Sequence, residues 1–247
     1  MKTLIITDNP QALELAKELE KVHGLIDVFQ SPTGSLGDVP RLDLRTRHVT
    51  IGDQYGLIIS IHCKQLFPPE LIKSVRCVNI HPGFNPFNRG WFPQAFSIIN
   101  GMKAGVTIHE IDEKLDHGPI IVQKEYEIKP WDTSGSAYAN IMKLERELLL
   151  EHYPSIRTGS YSARPPEEEG NVNYKRDFED LKKIDLSRRG CFRDFLNHIR
   201  ALTHDDHKNA YFTDARGRRV FVRIILEPDN SQQDDPEAQA AAGGFNL

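Results

Sequence analysis

Short apolar runs alternate with segments of helical periodicity through the first two thirds of the chain. The runs that have the length and composition of strands lie at residues 2–7, 25–29, 56–62, 75–80, 106–112 and 119–128. Between them, apolar residues recur three or four positions apart, which predicts helices over residues 10–23, 69–74, 91–100 and 136–152. Strands that alternate with helices are typical of an α/β domain. We therefore predict a Rossmann-like α/β fold, in which helices flank a mostly parallel sheet.

The first helix carries clear signals at both ends. Asn9 is a good N-cap and Pro10 a good first helical residue, while Gly24 is a typical stop. The strand–helix–strand unit that contains this helix lacks a Gly-x-Gly-x-x-Gly turn after its first strand. The missing turn argues against a nicotinamide-dependent Rossmann enzyme.

The composition changes at residues 164–170, a stretch rich in proline and glutamate. Beyond it, the pattern predicts a helix over 191–201 and a β-hairpin with arms at 210–213 and 220–226. Residues 228–247 are polar and rich in Ala, Gly and Gln, which favours disorder. We predict a catalytic α/β domain over 1–163, a small helix and hairpin appendage over 164–227, and a disordered tail over 228–247.

Charge and composition narrow the class of protein. The 247 residues carry a net charge of −4, which argues against a general nucleic-acid binder. No apolar run approaches the roughly 20 residues that a membrane-spanning helix needs. The three cysteines, Cys63, Cys77 and Cys191, show no paired spacing, and residues 2–7 read as a first strand rather than a signal peptide. A reduced, cytoplasmic protein is the prediction.

Candidate chemistry lies where predicted strands end. The strand at 75–80 delivers Asn79 and His81 into a loop held by prolines and glycines, and Asp116 lies in the loop between two later strands. Because neighbouring strand ends converge in a parallel sheet, we expect these three side chains to meet. The alternative is a surface loop whose histidine only caps a turn.

The three residue types suit acyl transfer to an amine. A neutral His81 can accept the proton that an attacking amine sheds. Asn79 can donate an amide N–H to a developing oxyanion, and Asp116 can orient the imidazole. No Gly-x-Ser-x-Gly elbow is present, so a serine hydrolase would lack its nucleophile.

Four ordered motifs resemble the formyltransferase family that uses N10-formyltetrahydrofolate. They are NIHP at 79–82, NRG at 88–90, GVTIH at 105–109 and LDHGPII at 115–121. The resemblance covers residues 55–152 well, and it implies that Asn79, His81 and Asp116 are the catalytic trio. It also implies a folate pocket along Gln65, Leu66 and the loop at 112–116, which includes Asp112 and Leu115.

The segment PGFNPFNRGWFPQ at 82–94 is similar to the subgroup of nucleotide-sugar N-formyltransferases that act on dTDP-4-amino-4,6-dideoxyglucose. The small appendage and acidic charge argue against the methionyl-tRNA enzymes. The likeness implies that Lys64, Arg89 and Lys175 contact the pyrophosphate. Trp91 is at helical spacing typical of the core, and a position facing the sugar is the alternative. Stacking on the base is expected from an aromatic residue of the appendage; Tyr211 is the main candidate, beside Tyr174 and Phe212.

Several alternatives stay open. No metal is expected, because the candidate ligands His62, Cys63, His109 and His117 lack a ligand spacing. A formyltetrahydrofolate hydrolase, a formyltransferase for a GDP-linked or 3-amino sugar, and a non-catalytic folate or nucleotide-binding module share the same motifs. The hairpin is open to pairing between two subunits, which would give a homodimer.

Overall fold

The structure, a computed structural model, describes residues 2–229. Its strands are β1 (Thr3–Thr7), β2 (Ile26–Phe29), β3 (Leu57–Ile61), β4 (Arg76–His81), β5 (Arg89–Gly90), β6 (Ala104–Glu110), β7 (Ile120–Tyr126), β8 (Val172–Asn173), β9 (Tyr211–Thr213) and β10 (Arg219–Phe221). Its helices are α1 (Pro10–His23), α2 (Leu44–Gln54), α3 (Pro69–Ser74), α4 (Pro93–Asn100), α5 (Ser134–Thr158), α6 (Lys175–Leu181) and α7 (Phe192–Leu202). The predicted tail at 228–247 lies outside the described residues apart from its first two positions.

A six-stranded sheet in the order β2-β1-β3-β4-β6-β7 forms the centre of the molecule. The first four strands run parallel to one another, whereas β6 is antiparallel to β4 and β7 is antiparallel to β6. The predicted fold, a mostly parallel sheet with flanking helices, is therefore confirmed. Because β6 is antiparallel to β4, the β6–β7 connection begins beside the first residues of β4, where the N–H of Ile111 donates to the carbonyl of Cys77.

The two faces of the sheet pack against different helices, because alternate residues of each strand point to opposite sides. Ile59, Val78 and Ile80 join α1 and α5 in one core cluster. Ile58 and Cys77 join α2 and α3 in the other. Both clusters are fully or almost fully buried, so the central strands are fixed on both sides.

Helix α5 is longer than the periodicity predicted. A capping box between Thr133 and Ser136 closes its first turn, and the helix then continues through Pro154 to Thr158 instead of ending near residue 152. Tyr153 and Ile156 are both fully buried, so packing on the sheet holds the last turns despite the proline. Helices α2 and α6 were not predicted.

The C-terminal segment packs on α4 and pairs with the loop that follows β4. Phe178, Leu202 and Ala210 share a buried cluster with Ala95 and Phe96 of α4. Strand β8 pairs in parallel with β5, a contact that the sequence did not predict. The predicted domain boundaries stay a prediction.

The hairpin of β9 and β10 is present, but its second arm is shorter than predicted. Beyond Val222 the chain leaves β9, and the N–H of Ile224 donates to the side chain of Thr203. Among residues 2–229, no helix combines the length and the apolar character that crossing a bilayer requires.

Candidate active site

Asn79 and His81 lie on β4, next to the central strand β3, and His81 is its last residue. Their spacing of two puts both side chains on the same face of the sheet. Asp116 reaches this face from the connection between β6 and β7. The structure thus brings together the three side chains that the sequence singled out.

Asp116 is the hub of the arrangement. Its Oδ1 accepts a hydrogen bond from Nδ2 of Asn79 at 2.9 Å, and its Oδ2 lies 3.4 Å from Nδ1 of His81. Oδ2 also accepts from the backbone N–H of Gly90 at 3.0 Å, and the backbone carbonyl of Asp116 accepts from Nδ2 of Asn85 at 2.8 Å. These hydrogen bonds fix the position of the carboxylate.

The route by which Asp116 arrives differs from the one expected. We predicted that parallel strand ends would converge, but β6 runs antiparallel to β4, so the connection at 111–119 must fold back over the sheet. Asp116 has φ +47° in this turn. Gly118 closes it, since a Cβ there would lie 1.9 Å from the carbonyl oxygen of Glu110. The trio meets because a tight loop returns to β4.

His81 is a buried imidazole with one free nitrogen. Its Nε2 is buried and has no hydrogen-bond partner among residues 2–229. Burial lowers the pKa of His81 to about 4, against the attraction of Asp116, and His109, His62 and Arg89 add to the lowering. The ring is therefore neutral at pH 7, with Nε2 available as a proton acceptor.

Gly83 leaves the space in front of this nitrogen. A Cβ at Gly83 would lie 2.4 Å from Nε2 of His81, well inside van der Waals contact. A larger residue at position 83 would therefore obstruct Nε2, a constraint that the sequence did not indicate.

His109 belongs to the same network, although the sequence indicated only a packed or solvated histidine. Its Nε2 lies 3.2 Å from Nδ2 of Asn79, and its Nδ1 lies 2.7 Å from the carbonyl oxygen of Glu110. This pattern fits a ring with its proton on Nδ1. Both Nδ2 hydrogens of Asn79 are then engaged, one by Asp116 and one by His109. The placement of His109 in the GVTIH motif was the available signal.

Burial by itself raises the pKa of Asp116, but the charge of His81 and the contacts with His109 and Gly90 outweigh it and lower that pKa below the ordinary value. Asp116 is therefore ionised at pH 7. A permanent negative charge beside His81 stabilises the imidazolium that forms when Nε2 takes up a proton.

A cavity of about 470 Å³ opens on the Asn79 side of the trio. Its lining includes two members of the trio, Asn79 and Asp116. It also includes all four residues predicted for the folate pocket, which are Gln65, Leu66, Asp112 and Leu115. Gln65 also braces the nearby turn, accepting from the N–H of Leu44 at 3.1 Å and donating to the carbonyl of Leu42 at 2.8 Å. Leu66 is largely exposed, so it offers an apolar surface at the mouth.

The residues predicted to bind the nucleotide sugar are spread more widely. Lys64 is exposed, and its backbone N–H donates to Asp8. The ammonium of Lys175 lies 5.8 Å from the ring centre of Trp91, which is partly exposed. Tyr211 contacts Phe221 and Arg219 within the hairpin. Their roles in binding stay a prediction.

Arg89 is held by hydrogen bonds to other parts of the protein. It is buried, and its guanidinium donates to the backbone carbonyls of Leu115 and Glu169 and to the Glu169 carboxylate. These contacts tie the β6–β7 connection to the segment before β8. The predicted phosphate contact of Arg89 stays a prediction. Its Nε is buried and has no hydrogen-bond partner among residues 2–229.

Within the part of the chain that the structure describes, no three His, Cys, Asp or Glu side chains are grouped as a metal site would need. Cys63, Cys77 and Cys191 are free thiols.

Two family profiles match the chain. The profile described as formyl transferase matches residues 42–153, which hold the trio and the cavity. The profile described as N-formyltransferase dimerization C-terminal domain matches residues 177–228.

Individual relatives span nearly the whole chain. The dTDP-4-amino-4,6-dideoxyglucose formyltransferase of Mycobacterium tuberculosis is 60% identical over 229 residues, which cover 93% of this chain and 98% of that protein. The crystal structure of a 4-N formyltransferase from Francisella tularensis has a TM-score of 0.87 and 37% identity, over 92% of this chain and 98% of that one.

A third, more distant relative was solved with ligands. The formyltransferase of Anoxybacillus kamchatkensis, in complex with UDP-4,6-dideoxy-4-formamido-L-AltNAc and tetrahydrofolate, has a TM-score of 0.57 and 26% identity. The match covers 73% of this chain and 89% of that one.

Proposed function

Because the chain belongs to the formyl transferase family, we propose that it transfers a formyl group from N10-formyltetrahydrofolate to the amine of dTDP-4-amino-4,6-dideoxyglucose. The observation that carries the proposal is the buried, neutral His81, whose Nε2 has no partner within residues 2–229 and whose Nδ1 lies 3.4 Å from Oδ2 of the ionised Asp116. The named activity of the Mycobacterium tuberculosis relative supports the substrate. The ligands of the Anoxybacillus kamchatkensis protein support both a folate cosubstrate and a 4-amino position.

His81 is the general base of the proposed reaction. The amine of the sugar is nucleophilic only with its lone pair free, and it must shed a proton as it bonds to the formyl carbon. Nε2 of His81 accepts that proton. Asp116, on the other side of the ring, stabilises the resulting imidazolium and keeps the ring in place.

Asn79 is the donor to the formyl oxygen as negative charge develops there. Both of its amide hydrogens are engaged, by Asp116 at 2.9 Å and by His109 at 3.2 Å. Asn79 must therefore release one of them in the complex with substrate. The bond to His109 is the longer and joins two neutral groups, so it is the one expected to give way.

The cavity beside Asn79 suits the folate. Its lining combines apolar surface with hydrogen-bonding groups, as a pocket for a ring system with hydrogen-bonding edges requires. The residues are Gln65, Leu66, Asp112 and Leu115. When bound there, the cosubstrate supplies the formyl carbon next to Asn79 and Asp116.

The nucleotide sugar is the proposed partner of the remaining predicted residues. Lys64 and Lys175 offer charges for the pyrophosphate, and Trp91 and Tyr211 offer aromatic faces for the sugar and the base. Arg89 can bind the same phosphates only after its hydrogen bonds to Glu169 break.

The proposal includes a homodimer and a cytoplasmic location. A match to a dimerization domain over residues 177–228 and the exposed side chains of Val220 and Phe221 on β10 support pairing through the C-terminal segment. Three thiols without disulfide partners fit a reducing compartment.

The test is an assay with N10-formyltetrahydrofolate and a panel of nucleotide amino sugars: dTDP-4-amino-4,6-dideoxyglucose, a dTDP-linked 3-amino sugar and a GDP-linked 4-amino sugar. We expect tetrahydrofolate release and an N-formylated sugar, detected by mass, with the first substrate. Formate release without any sugar would indicate a hydrolase. Binding without turnover would indicate a non-catalytic module.

A histidine pair tests the assignment of the base. His81→Asn should lower turnover by at least about a thousandfold while the nucleotide sugar still binds. His48→Asn, at a partly exposed position of α2, is the matched control and should turn over normally. Near-normal turnover in the His81 variant would refute the assignment.

A further inference from the structure

A buried carboxylate lies on α5, against the residue that follows β3. Glu145 is fully buried, and both of its oxygens lie close to Nε2 of His62, at 3.1 and 3.0 Å. An unpaired carboxylate in such a place would cost several kcal/mol, and removing a partner leaves that cost exposed. His62 is therefore the counter-ion of Glu145, and the pair requires a proton on Nε2.

His62 is level with His81 at the same edge of the sheet. Strands β3 and β4 run parallel with Ile61 paired to Ile80, so the residues that follow these two are neighbours across the strands. Adjacent strands lie about 4.8 Å apart. The Glu145–His62 pair thus adjoins the proposed base without contacting Asp116 directly.

The backbone turns His62 away from the folate cavity. Ser60, two residues earlier, lines that cavity, and simple alternation would send His62 to the same side. Instead His62 has φ +53°, a left-handed conformation that costs a histidine about 1 kcal/mol or more. Its ring then meets Glu145 and the edge of Tyr138, whose ring centre is 6.2 Å away.

Nδ1 is the nitrogen of His62 that Glu145 does not contact. Nδ1 of His62 has no hydrogen-bond partner within residues 2–229, yet it is not among the buried unpartnered atoms of that part of the chain. It therefore reaches solvent. The hydroxyl of Tyr138, whose ring lies at an angle to that of His62, accepts a hydrogen bond from Asn9 at 3.0 Å, so polar groups lie near the His62 ring.

Formyl transfer needs two substrates at His81. The cavity lined by Asn79 and Asp116 lies on one side of the trio, which leaves the side of α5 for the amine. We propose that Glu145 holds His62 as an imidazolium and that its free Nδ1–H binds an oxygen of the amino-sugar substrate. His62 is then a specificity-determining residue, and Glu145 is a positioning residue that acts through it. This inference rests on the proposed function.

The charges around His62 favour the protonated ring. Burial by itself lowers the pKa of His62, but the carboxylate of Glu145 and, more weakly, that of Asp116 outweigh it and raise that pKa above 6.5. The titratable groups that face the ring come from three elements: Glu145 and Tyr138 of α5, His81 of β4, and Asp116 of the β6–β7 connection. Glu145 is the nearest charge and the one in direct contact.

The experiment compares Glu145→Gln with the wild-type enzyme across pH 8 to 5.5. In the variant His62 loses its counter-ion and becomes neutral near pH 8. We expect the KM for the amino sugar to rise about tenfold, because one charge-assisted hydrogen bond is lost. The KM for formyl-folate and kcat should change little. As pH falls His62 regains its proton, so the ratio of variant to wild-type KM should narrow.

His62→Gln separates a charge effect from a packing effect. It should raise the KM for the amino sugar as well, but the KM of this variant should show no pH dependence from residue 62, since glutamine does not titrate. Glu147→Gln, exposed on the same helix, is the matched control and should leave every constant unchanged. The imidazole signal that disappears in His62→Gln identifies His62 by NMR; its midpoint should lie above 6.5 in the wild type and below it in Glu145→Gln.

Three results decide the inference. A folded Glu145→Gln with unchanged KM for the sugar, or with an unchanged His62 midpoint, would overturn it while leaving the formyltransferase activity intact. Should Glu145→Gln fail to fold, an unchanged KM in His62→Gln would overturn it equally. A wild-type protein with no turnover would overturn the proposed function and this inference together.

Discussion

The backbone N–H of Gly90 donates to Oδ2 of Asp116 at 3.0 Å, so the carboxylate beside His81 is held by the short strand β5. Strand β5 is itself paired with β8, from the C-terminal segment. Asn171, next to β8, strengthens this junction: its Oδ1 accepts from the N–H of Asn88, and its Nδ2 donates to Oδ1 of Asn88, both at 2.9 Å. The C-terminal segment thus takes part in positioning Asp116.

Asn171→Ala tests this junction. The variant leaves the backbone N–H of the buried Asn88 without its partner and removes one of three donors to Oδ1 of Asn88, so we expect the free energy of unfolding to fall by about 2 kcal/mol. Because β5 carries Gly90, kcat should fall as well, measured with saturating substrates. Asn209→Ala, which loses a single bond to the carbonyl of Leu202, is the control and should keep its kcat. A less stable Asn171→Ala with full kcat would show that Asp116 does not depend on β8.

Asp116→Asn tests the charge at the hub. Asn79 and Gly90 each donate to one oxygen of Asp116, so an amide in its place must turn its NH2 group toward one of these donors. The imidazolium would also lose its counter-charge. We expect kcat to fall by about a thousandfold, by analogy with a carboxylate beside a catalytic histidine. Asp53→Asn, exposed on α2, should be unchanged, and a loss below tenfold in Asp116→Asn would contradict the assigned role.

Gly83→Ala tests access to the base. Its Cβ would come within 2.4 Å of Nε2 of His81, so either the ring moves or the amine is blocked. Turnover should fall at least about a hundredfold, the scale of a misplaced catalytic group. Gly190→Ala is the control, because its Cβ would make only ordinary contact with Phe195 at 3.5 Å. An active Gly83→Ala would mean that the amine approaches His81 from elsewhere.

The depressed pKa of His81 predicts a pH dependence of stability. In the folded protein burial lowers it to about 4, whereas the ordinary value is 6.5. Between these values the unfolded chain binds a proton that the folded chain does not. Stability should therefore decrease as pH falls through this window, by up to about 1.4 kcal/mol per pH unit from this group.

His81→Asn removes that contribution. Urea unfolding of wild type and variant at pH 7, 6 and 5 should show a shallower loss of stability in the variant. His48→Asn, whose side chain is only partly buried and lies away from the site on α2, should follow the wild type. Equal slopes for His81→Asn and wild type would mean that His81 titrates normally in the folded protein.

Much of the fold followed from periodicity, and its failures have physical causes. The strand and helix at the N-terminus are marked by Asn9, Pro10 and Gly24, which act within the segment itself. Helix α2 was missed because only Leu44 and Ile51 of its residues are buried, too few to make an apolar stripe. The pairing of β5 with β8 joins segments more than 80 residues apart, two residues each, and such pairing leaves no local pattern.

The trio could be predicted from residue types and motifs, but its surroundings could not. Asn79, His81 and Asp116 carry chemistry that suits acyl transfer wherever they meet. Glu145 reads as one more charge on an amphipathic helix, and only the fold reveals that it faces His62 inside the core. Arg89 reads as a phosphate ligand, and only the fold reveals its bonds to Glu169 and Leu115.

The return of the β6–β7 connection to β4 constrains how this region can change in evolution. Gly118 abuts Glu110, Asp116 contacts Asn79, Asn85, Gly90 and His81, and Arg89 donates to Leu115, so the turn cannot change length without breaking these contacts. An insertion or deletion of a single residue between 111 and 119 would shift the carboxylate by the length of a peptide unit. Natural variation in loop length should therefore accumulate elsewhere around the sheet, and substrate range should diverge through side-chain exchange at this turn rather than through its remodelling.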